Sequence, residues 1–586
     1  MVMVAVLLSV GAGAVWGVAR PGASAAGKRQ AEFGQVHVRD PKTASGNEAS
    51  GAVKAKWVIA ENAKPGTTDW RITKAGGNGE IEGYADRVSA VLGDTVGFYV
   101  STTASSFRIE AYRIGSYQGL GGRLVWRSPS LPGVKQAKAT RDSDINMVEA
   151  RWNQSLRLTL TSAFPPGVYL FKLVSGAGKE QYVPLTVGDD HSTSAFLIQD
   201  SVTTWQAYNL WGGYDLYEGH SGSRGSDFEH RSRVVSFDRP YAMGSGSGDF
   251  LGNEFPLISL MESQGLDVSY WTDVDLHERP QLLQHHRALL SLGHDEYWST
   301  LMRRGAESAR DHGVNIAFFG ANALFRHIRL DRSSLGPDRH VIDYKQARED
   351  PLFGKNNKEV TSDWRAFPVY EPESALIGNY YECNPVKADL VIADPAAWVF
   401  AGTGLTTGDR LKNVVGPEYD RHDQNAPGPT NVQVLTHSPL RCGGKSSYSD
   451  MTYYTAPSGA GVWATGTNWW ISKLSEDCPA DVSPCPKDAV VRITENVLNL
   501  FGVAPAGQTH PSVATEYHTL PTVTVPPSTP ATGPRHYTAR TTITYYYRQP
   551  SETLAPPRTV TTPLTAPPPP PPPTYQRPPP TRPHFP

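Results

Sequence analysis

The sequence predicts a multidomain chain: an antiparallel β-sandwich, then an α/β domain with a mostly parallel sheet, then a disordered proline-rich tail. Three observations carry that expectation. Between residues 56 and 190 short segments of alternating polarity recur between turn signals. Between 191 and 505 apolar strands alternate with amphipathic helices, and from 506 to 586 proline and threonine take over. A chain of 586 residues is too long for one hydrophobic core, and 39% hydrophobic residues with 14 Trp and 26 Tyr suit sheet-rich folding.

Taken in order, residues 2–19 form an apolar run, followed by Arg20 and the small-residue stretch Gly22, Ala23, Ser24, Ala25, Ala26. Residues 1–26 therefore read as a signal peptide, with an uncleaved anchor as the alternative, and the protein is expected to be secreted or held in the cell envelope. No Lys or Arg precedes the run, so a start further upstream is expected. Residues 27–55 are polar without periodicity and read as a linker. Strands are expected at 87–91, 96–101, 107–114, 124–127, 156–160, 168–174 and 182–187. In the third, Phe107, Ile109 and Ala111 alternate with Arg108 and Glu110, as a half-buried strand requires. Uninterrupted by any helical pattern, these strands predict an immunoglobulin-like sandwich over 56–190.

After His191 the expected order is strand 195–199, helix 254–264, strands 268–271 and 287–292, helix 299–312 and strand 315–319, with Ser299 as N-cap and Gly313 as stop. Segments 398–401, 432–436 and 461–466 are expected to extend the sheet. Residues 488–501 form a last helix with Val490, Ile493, Val497 and Phe501 on one face. The tail includes seven consecutive prolines at 567–573 and reads as an extended spacer or an arm contacting the envelope. Net charge is -2, from 55 basic and 57 acidic residues, so no nucleic-acid partner is expected. Four cysteines in an exported chain favour disulfides; Cys478–Cys485 is the expected short staple, leaving Cys383–Cys442.

Ligands of open parallel sheets bind beyond the carboxyl ends of the strands. Three loops leave such ends: 203–213 (TTWQAYNLWGG), 293–298 (GHDEYW) and 320–323 (GANA). His294, Asp295, Glu296 and Tyr297 are metal-ligand and acid–base residue types packed into four positions, although Asp295 or Glu296 could instead serve the following helix as a cap. Strand, tight turn and helix around Asn322 have the shape of a nucleophile elbow, with Asn where Ser or Cys is expected, so covalent catalysis there is not expected. Trp205 and Trp211 read as hydrophobic cover. Tyr208 divides evenly between core and ligand, and Glu418 by itself reads as a solvated loop carboxylate.

Nine ordered segments, IEGYADRVSA, RIEAYRIGSY, TTWQAYNLWGG, VSFDRPY, YWTDVDLH, GHDEYW, NIAFFGANALF, GTGL and GPEYD, resemble the large-subunit family of N,N-dimethylformamidase over about 57–502. The resemblance implies a C-terminal domain like a class I glutamine amidotransferase without its cysteine, and a ferric ion held by two tyrosines and a glutamate. Glu296 matches the glutamate and Tyr208 one tyrosine; Tyr169 and Tyr217 are candidates for the second. His294 and Asn322 are implied pocket neighbours and Glu418 the remaining active-site carboxylate. Asp295 departs from the family pattern, which has proline there. The implied activity is iron-dependent hydrolysis of a small linear amide, with a small subunit or a second copy as partner. The rival expectation is a noncatalytic envelope or glycan-binding protein on the same scaffold.

Overall fold

Alternating polarity does produce strands in the first half of the chain. The computed structural model describes residues 53–77, 79–222, 225–475, 485–517 and 520. Strands Ile81–Ala85, Thr95–Thr102 and Leu156–Thr159 form one antiparallel sheet. Ser89–Val91, Glu180–Gly188, Gly167–Ser175, Ser106–Ile114 and Gly122–Arg127 form a second, in that spatial order, with Leu131–Pro132 also pairing on Ser106–Ile114. Side chains from both sheets meet in one buried cluster: Val96, Phe98 and Val100 from one, Ile109, Ala111, Phe171 and Leu185 from the other. Strand Ile81–Ala85 and the short helix Lys56–Asn62 were not expected from the pattern. Gly83 and buried Tyr84 blur the alternation of the strand, and seven residues are too few to show a helical period.

The second half is built on a seven-stranded mixed sheet, in the order Val268–Thr272, Phe196–Asp200, Ala288–Ser291, Asn315–Phe318, Gly461–Ala464, Lys445–Thr455, Gln433–Cys442. The first five run parallel and the last two antiparallel. In Phe196–Asp200, Phe196 and Ile198 enter one buried cluster and Leu197 another, so both faces are covered and the strand reads as a continuous apolar run. Helix Thr300–Asp311 starts where expected: Ser299 accepts from the Met302 N–H at 3.3 Å. Helix Pro486–Phe501 buries Val490, Ile493, Val497 and Phe501 as its periodicity requires. Among the described residues no helix is long and apolar enough to cross a membrane.

The two halves are joined through charge as well as apolar contact. Arg113 on Ser106–Ile114 forms a fully buried bidentate pair with Glu262 on helix Phe255–Ser263, at 2.5 and 2.9 Å. Tyr270 and Asn62 donate to the same carboxylate at 2.6 and 3.0 Å.

Three expectations need correction. Residues 398–401 do not extend the sheet; Trp398–Phe400 is a 3₁₀ turn just after Pro395, and the Trp398 ring packs on Tyr453 and Phe501. No helix follows the turn at Asn322: the chain goes directly into strand Arg326–Asp331. The tail does not begin at 506, because Ala506 is buried, Thr515 bonds both ways with the strand edge at Val432 and Val434, and Tyr517 donates to the His422 carbonyl at 3.0 Å. Proline-rich composition hides such contacts because backbone and hydroxyl bonds need no apolar periodicity. At the other end, linker residues 53–55 already pair with 265–267. The expected segment 1–26, most of the linker, Cys478 and residues 521–586 lie outside the described residues. Cys383 and Cys442 are bonded as expected, and Cys485 is disulfide-bonded too.

Candidate active site

Strand order reverses between Phe196–Asp200 and Ala288–Ser291, since the chain steps from one outward to Val268–Thr272 and then back to the other side. That reversal opens a crevice at the carboxyl ends of the two strands. The loop after Ala288–Ser291 carries His294 and Glu296, and the helix Val202–Ala207 after Phe196–Asp200 delivers Tyr208. Gly293 turns the first loop at φ +57, where any Cβ would press on Asn253, and a Cβ on Gly320 would overlap the Gly293 carbonyl. The two glycines thus let the turns bearing Glu296 and Asn322 touch.

Glu296 is 1% exposed and sits at the centre. Tyr208 donates to its Oε2 at 2.7 Å, and the Tyr217 hydroxyl lies 3.1 Å from both oxygens and 2.7 Å from the Tyr208 hydroxyl. Tyr297 donates to the Tyr217 hydroxyl at 2.6 Å, and Lys345 Nζ donates to the Tyr297 hydroxyl at 2.7 Å while lying 3.7 Å over the Tyr217 ring. His294 Nε2 lies 3.3 Å from Glu296 Oε2 and 3.1 Å from Glu418 Oε2. Asn322 Nδ2 lies 3.3 Å from the same nitrogen. All five residues singled out from the sequence, His294, Glu296, Asn322, Tyr208 and Glu418, therefore meet in one cluster.

Of the two candidates for a second phenol, Tyr217 joins this cluster and Tyr169 does not. Tyr169 lies within the sandwich core, and its hydroxyl donates to the Pro165 carbonyl at 2.7 Å. Glu418 is no solvated loop carboxylate: it is 7% exposed, and Asn384 donates to its Oε1 at 2.7 Å. Asp295 points the other way, accepting from Gln199, Ser291 and the Trp298 indole at 2.7–2.8 Å. Neither acid caps the next helix, because Ser299 does so. Tyr217, Tyr297, Lys345 and Asn384 were not separated from other tyrosines, lysines and asparagines by sequence spacing, although Tyr297 stands within the GHDEYW string.

Asn322 adopts a left-handed conformation at φ 59; its N–H donates to Asp420 Oδ1 at 2.7 Å, and Asn468 accepts from the neighbouring Ala321 N–H at 2.7 Å. Among the described residues the buried Asn322 Oδ1 has no partner, which leaves an acceptor for a group outside the chain.

Burial raises the three phenols Tyr208, Tyr217 and Tyr297 well above their ordinary range, and the Glu296 charge adds to it. For His294 burial disfavours the charge, but the Glu418 carboxylate, with Glu296 and Asp249, outweighs it and pushes the ring up to about 9 from 6.5. Glu418 is buried as well, yet His294 holds it below the usual carboxylate range. A folded value above the unfolded one means that the charge on His294 adds stability fully present below pH 6.5 and lost as pH rises through about 9, while the lowered Glu418 loses its own contribution as pH falls below the ordinary carboxylate range. In the metal-free protein the His294 ring is expected to titrate near 9 by NMR, and Glu418→Gln to bring the midpoint down by at least one unit. An unshifted midpoint in the variant would show that Glu418 does not set the charge on His294.

The oxygens of Tyr208, Tyr217 and Glu296 are separated by 2.7–3.1 Å. Adjacent corners of an octahedron with metal–oxygen bonds of about 2.0–2.1 Å are separated by about 2.8–3.0 Å. Among the described residues no group of three or more His, Cys, Asp or Glu is placed to hold a metal; the phenol-containing set offers converging oxygens, of which the carboxylate carries charge and the two phenols would have to lose protons.

Residues 108–481 match the family described as N,N-dimethylformamidase beta subunit-like, C-terminal. The chain belongs to this family. It is similar to the N,N-dimethylformamidase beta subunit of Paracoccus aminophilus, 22% identical over 436 residues, which are 60% of this chain and 54% of that protein. It is also similar to the beta subunit of that name from Alcaligenes sp, 23% identical over 337 residues, 49% of this chain and 42% of the other. Its matches thus span about half the length of these family members or less. A solved Paenibacillus sp. cycloisomaltooligosaccharide glucanotransferase, complexed with cycloisomaltoheptaose, is 12% identical over 46% of this chain and 35% of its own, at a TM-score of 0.13. So slight a likeness carries no argument for the fold of this family member.

Proposed function

We propose that this protein is an exported hydrolase of a linear amide carbon–nitrogen bond that uses ferric iron held by Tyr208, Tyr217 and Glu296. The convergence of those three oxygen donors at the topological switch of the sheet carries the reading, and the names of the curated relatives supply the reaction class. Hard oxygen donors suit a hard trivalent cation. Bound there, iron would supply Lewis acidity, polarising an amide carbonyl or acidifying a water. Asn322 would orient the carbonyl or the water through its amide, and a water serves as nucleophile because Asn322 stands where a covalent nucleophile would be. The Glu418–His294 pair would take the proton from the attacking water and pass it to the leaving amine.

Further parts of the proposal rest on the same scaffold. The five parallel strands and the cysteine-free turn at Asn322 support a glutamine-amidotransferase-like second domain that starts at 191, and the two facing sheets an immunoglobulin-like first domain over 56–190. The apolar run at 2–19 and the Cys383–Cys442 bond support export to the envelope, with the proline-rich tail as a contacting arm. A smaller partner subunit is proposed because both relatives are named as beta subunits. The rival noncatalytic glycan-binding reading rests on exposed aromatics such as Phe367 and Tyr370, and leaves the buried oxygen cluster unexplained.

The purified full-length protein is expected to carry close to one iron per chain, to show a phenolate-to-iron absorption band, and to release amine from at least one member of a panel of formamides and short amides. Colourless protein that stays inert after incubation with ferrous iron and air sinks the reading.

A further inference from the structure

We propose that the Cys383–Cys442 disulfide is a positioning device for the site, holding the Asn384 amide on Glu418 so that one carboxylate oxygen faces His294. The inference rests on the hydrolase reading in giving Glu418 a part in proton transfer. Glu418 meets unlike partners on its two oxygens. Oε1 accepts from Asn384 Nδ2 at 2.7 Å, while Oε2 lies 3.1 Å from His294 Nε2 and 3.5 Å from Asn468 Nδ2. The terminal carboxylate torsion is soft, so the short bond from Asn384 fixes the plane of the carboxylate and with it the direction in which the free oxygen faces His294.

Nothing in the local strand pairing fixes Asn384. Strand Tyr380–Cys383 pairs only with Tyr419–Arg421, its register slips between Tyr381 and Cys383, and the ladder ends at the Cys383–Tyr419 pair. A two-stranded ribbon is marginal without outside support; here the Asp420 N–H donates to the Gly466 carbonyl at 3.0 Å and Tyr419 pairs with Thr467, while Asn384 lies beyond the last pair of the ribbon. Two attachments flank Asn384. On one side the preceding residue, Cys383, is bonded across 59 positions to Cys442, a 6%-exposed residue at the end of Gln433–Cys442 in the seven-stranded sheet. On the other the Val386 N–H donates to the Pro417 carbonyl at 2.8 Å. The bridge therefore ties Cys383 to the end of the hairpin that Gln433–Cys442 and Lys445–Thr455 form, and the residue immediately after Cys383 touches the site. Asn384 is a positioning residue, and Glu418 is the group it positions.

The test uses the full-length protein and its Asn384→Ala, Cys383→Ser/Cys442→Ser and combined variants. It reads kcat and KM on the best amide of the panel, and hydrogen exchange by mass spectrometry. Asn384→Ala is expected to lower kcat about ten- to hundredfold, the range for a hydrogen bond to a charged group, with KM nearly unchanged. The bridge-less variant should lose a similar factor, and the combined variant little more than either, because both changes remove one effect. Exchange should rise at 380–385 in the bridge-less protein, with strand Ala288–Ser291 unaffected. An Asn384→Ala enzyme with kcat within about twofold of the parent overturns the proposal even if the bridge-less protein fails to fold. Losses that multiply in the combined variant, or unaltered exchange at 380–385, overturn it as well. A parent without amide turnover sinks the hydrolase reading, and exchange at 380–385 then decides the positioning claim alone.

Discussion

Glu296→Gln is expected to strip the protein of bound iron and of amide turnover while leaving its fold in place. The carboxylate is the one group that touches both phenols and His294, so its charge is what would gather a trivalent cation among them. Glutamine keeps the volume of a side chain that is 1% exposed, so no cavity is created. It offers one oxygen instead of two and no charge, and a loss in kcat on the order of 10³-fold or more is expected if the metal leaves with it. Iron per chain, the absorption band and amine release would be measured beside far-ultraviolet circular dichroism. A variant that unfolds at the parental temperature yet keeps either iron or turnover removes Glu296 from the metal.

Glu262→Ala is expected to destabilise the protein by about 3–5 kcal/mol, which for a body of this size is a fall in Tm of roughly 3–5 °C. The reason is the state left behind. Arg113 is 0% exposed, and its only carboxylate partner among the described residues is Glu262, so truncation leaves a buried guanidinium without a counter-charge, bonded only to neutral groups such as the Pro166 carbonyl and the Tyr117 hydroxyl, together with the Tyr270 hydroxyl. An Arg113→Met/Glu262→Leu double variant, which removes both charges, should cost clearly less than the single change. Urea unfolding of the three proteins measures this, and a single-variant loss below about 1 kcal/mol would show that the pair does not bind the first sheets to helix Phe255–Ser263.

Much of the framework was legible because each element repeats one physical rule over several residues. Phe107, Ile109 and Ala111 alternate with charge and form a strand; Val490, Ile493, Val497 and Phe501 recur at helical spacing and form the last helix. Where a rule was broken locally the expectation failed. Trp398, three residues after Pro395, opens a turn, and Thr515 binds a strand edge through backbone and hydroxyl groups that no hydrophobic pattern reports. For the site, the GHDEYW string was visible as a concentration of titratable groups, but its two acids looked equivalent. The structure separates them: Asp295 is turned inward onto Gln199, Ser291 and Trp298, and Glu296 outward onto two phenols.

The sequence by itself determined the alternation of strand and helix, the residues able to carry charge at the strand ends, and the apolar N-terminal run, because those depend on near neighbours in the chain. Only the tertiary structure decided that Tyr217 rather than Tyr169 stands beside Tyr208, that Glu418 leaves solvent to meet His294, and that Asn384 reaches it from beside a disulfide. Those meetings join residues from nine to more than a hundred positions apart, and chain spacing alone does not say which side chains will face one another.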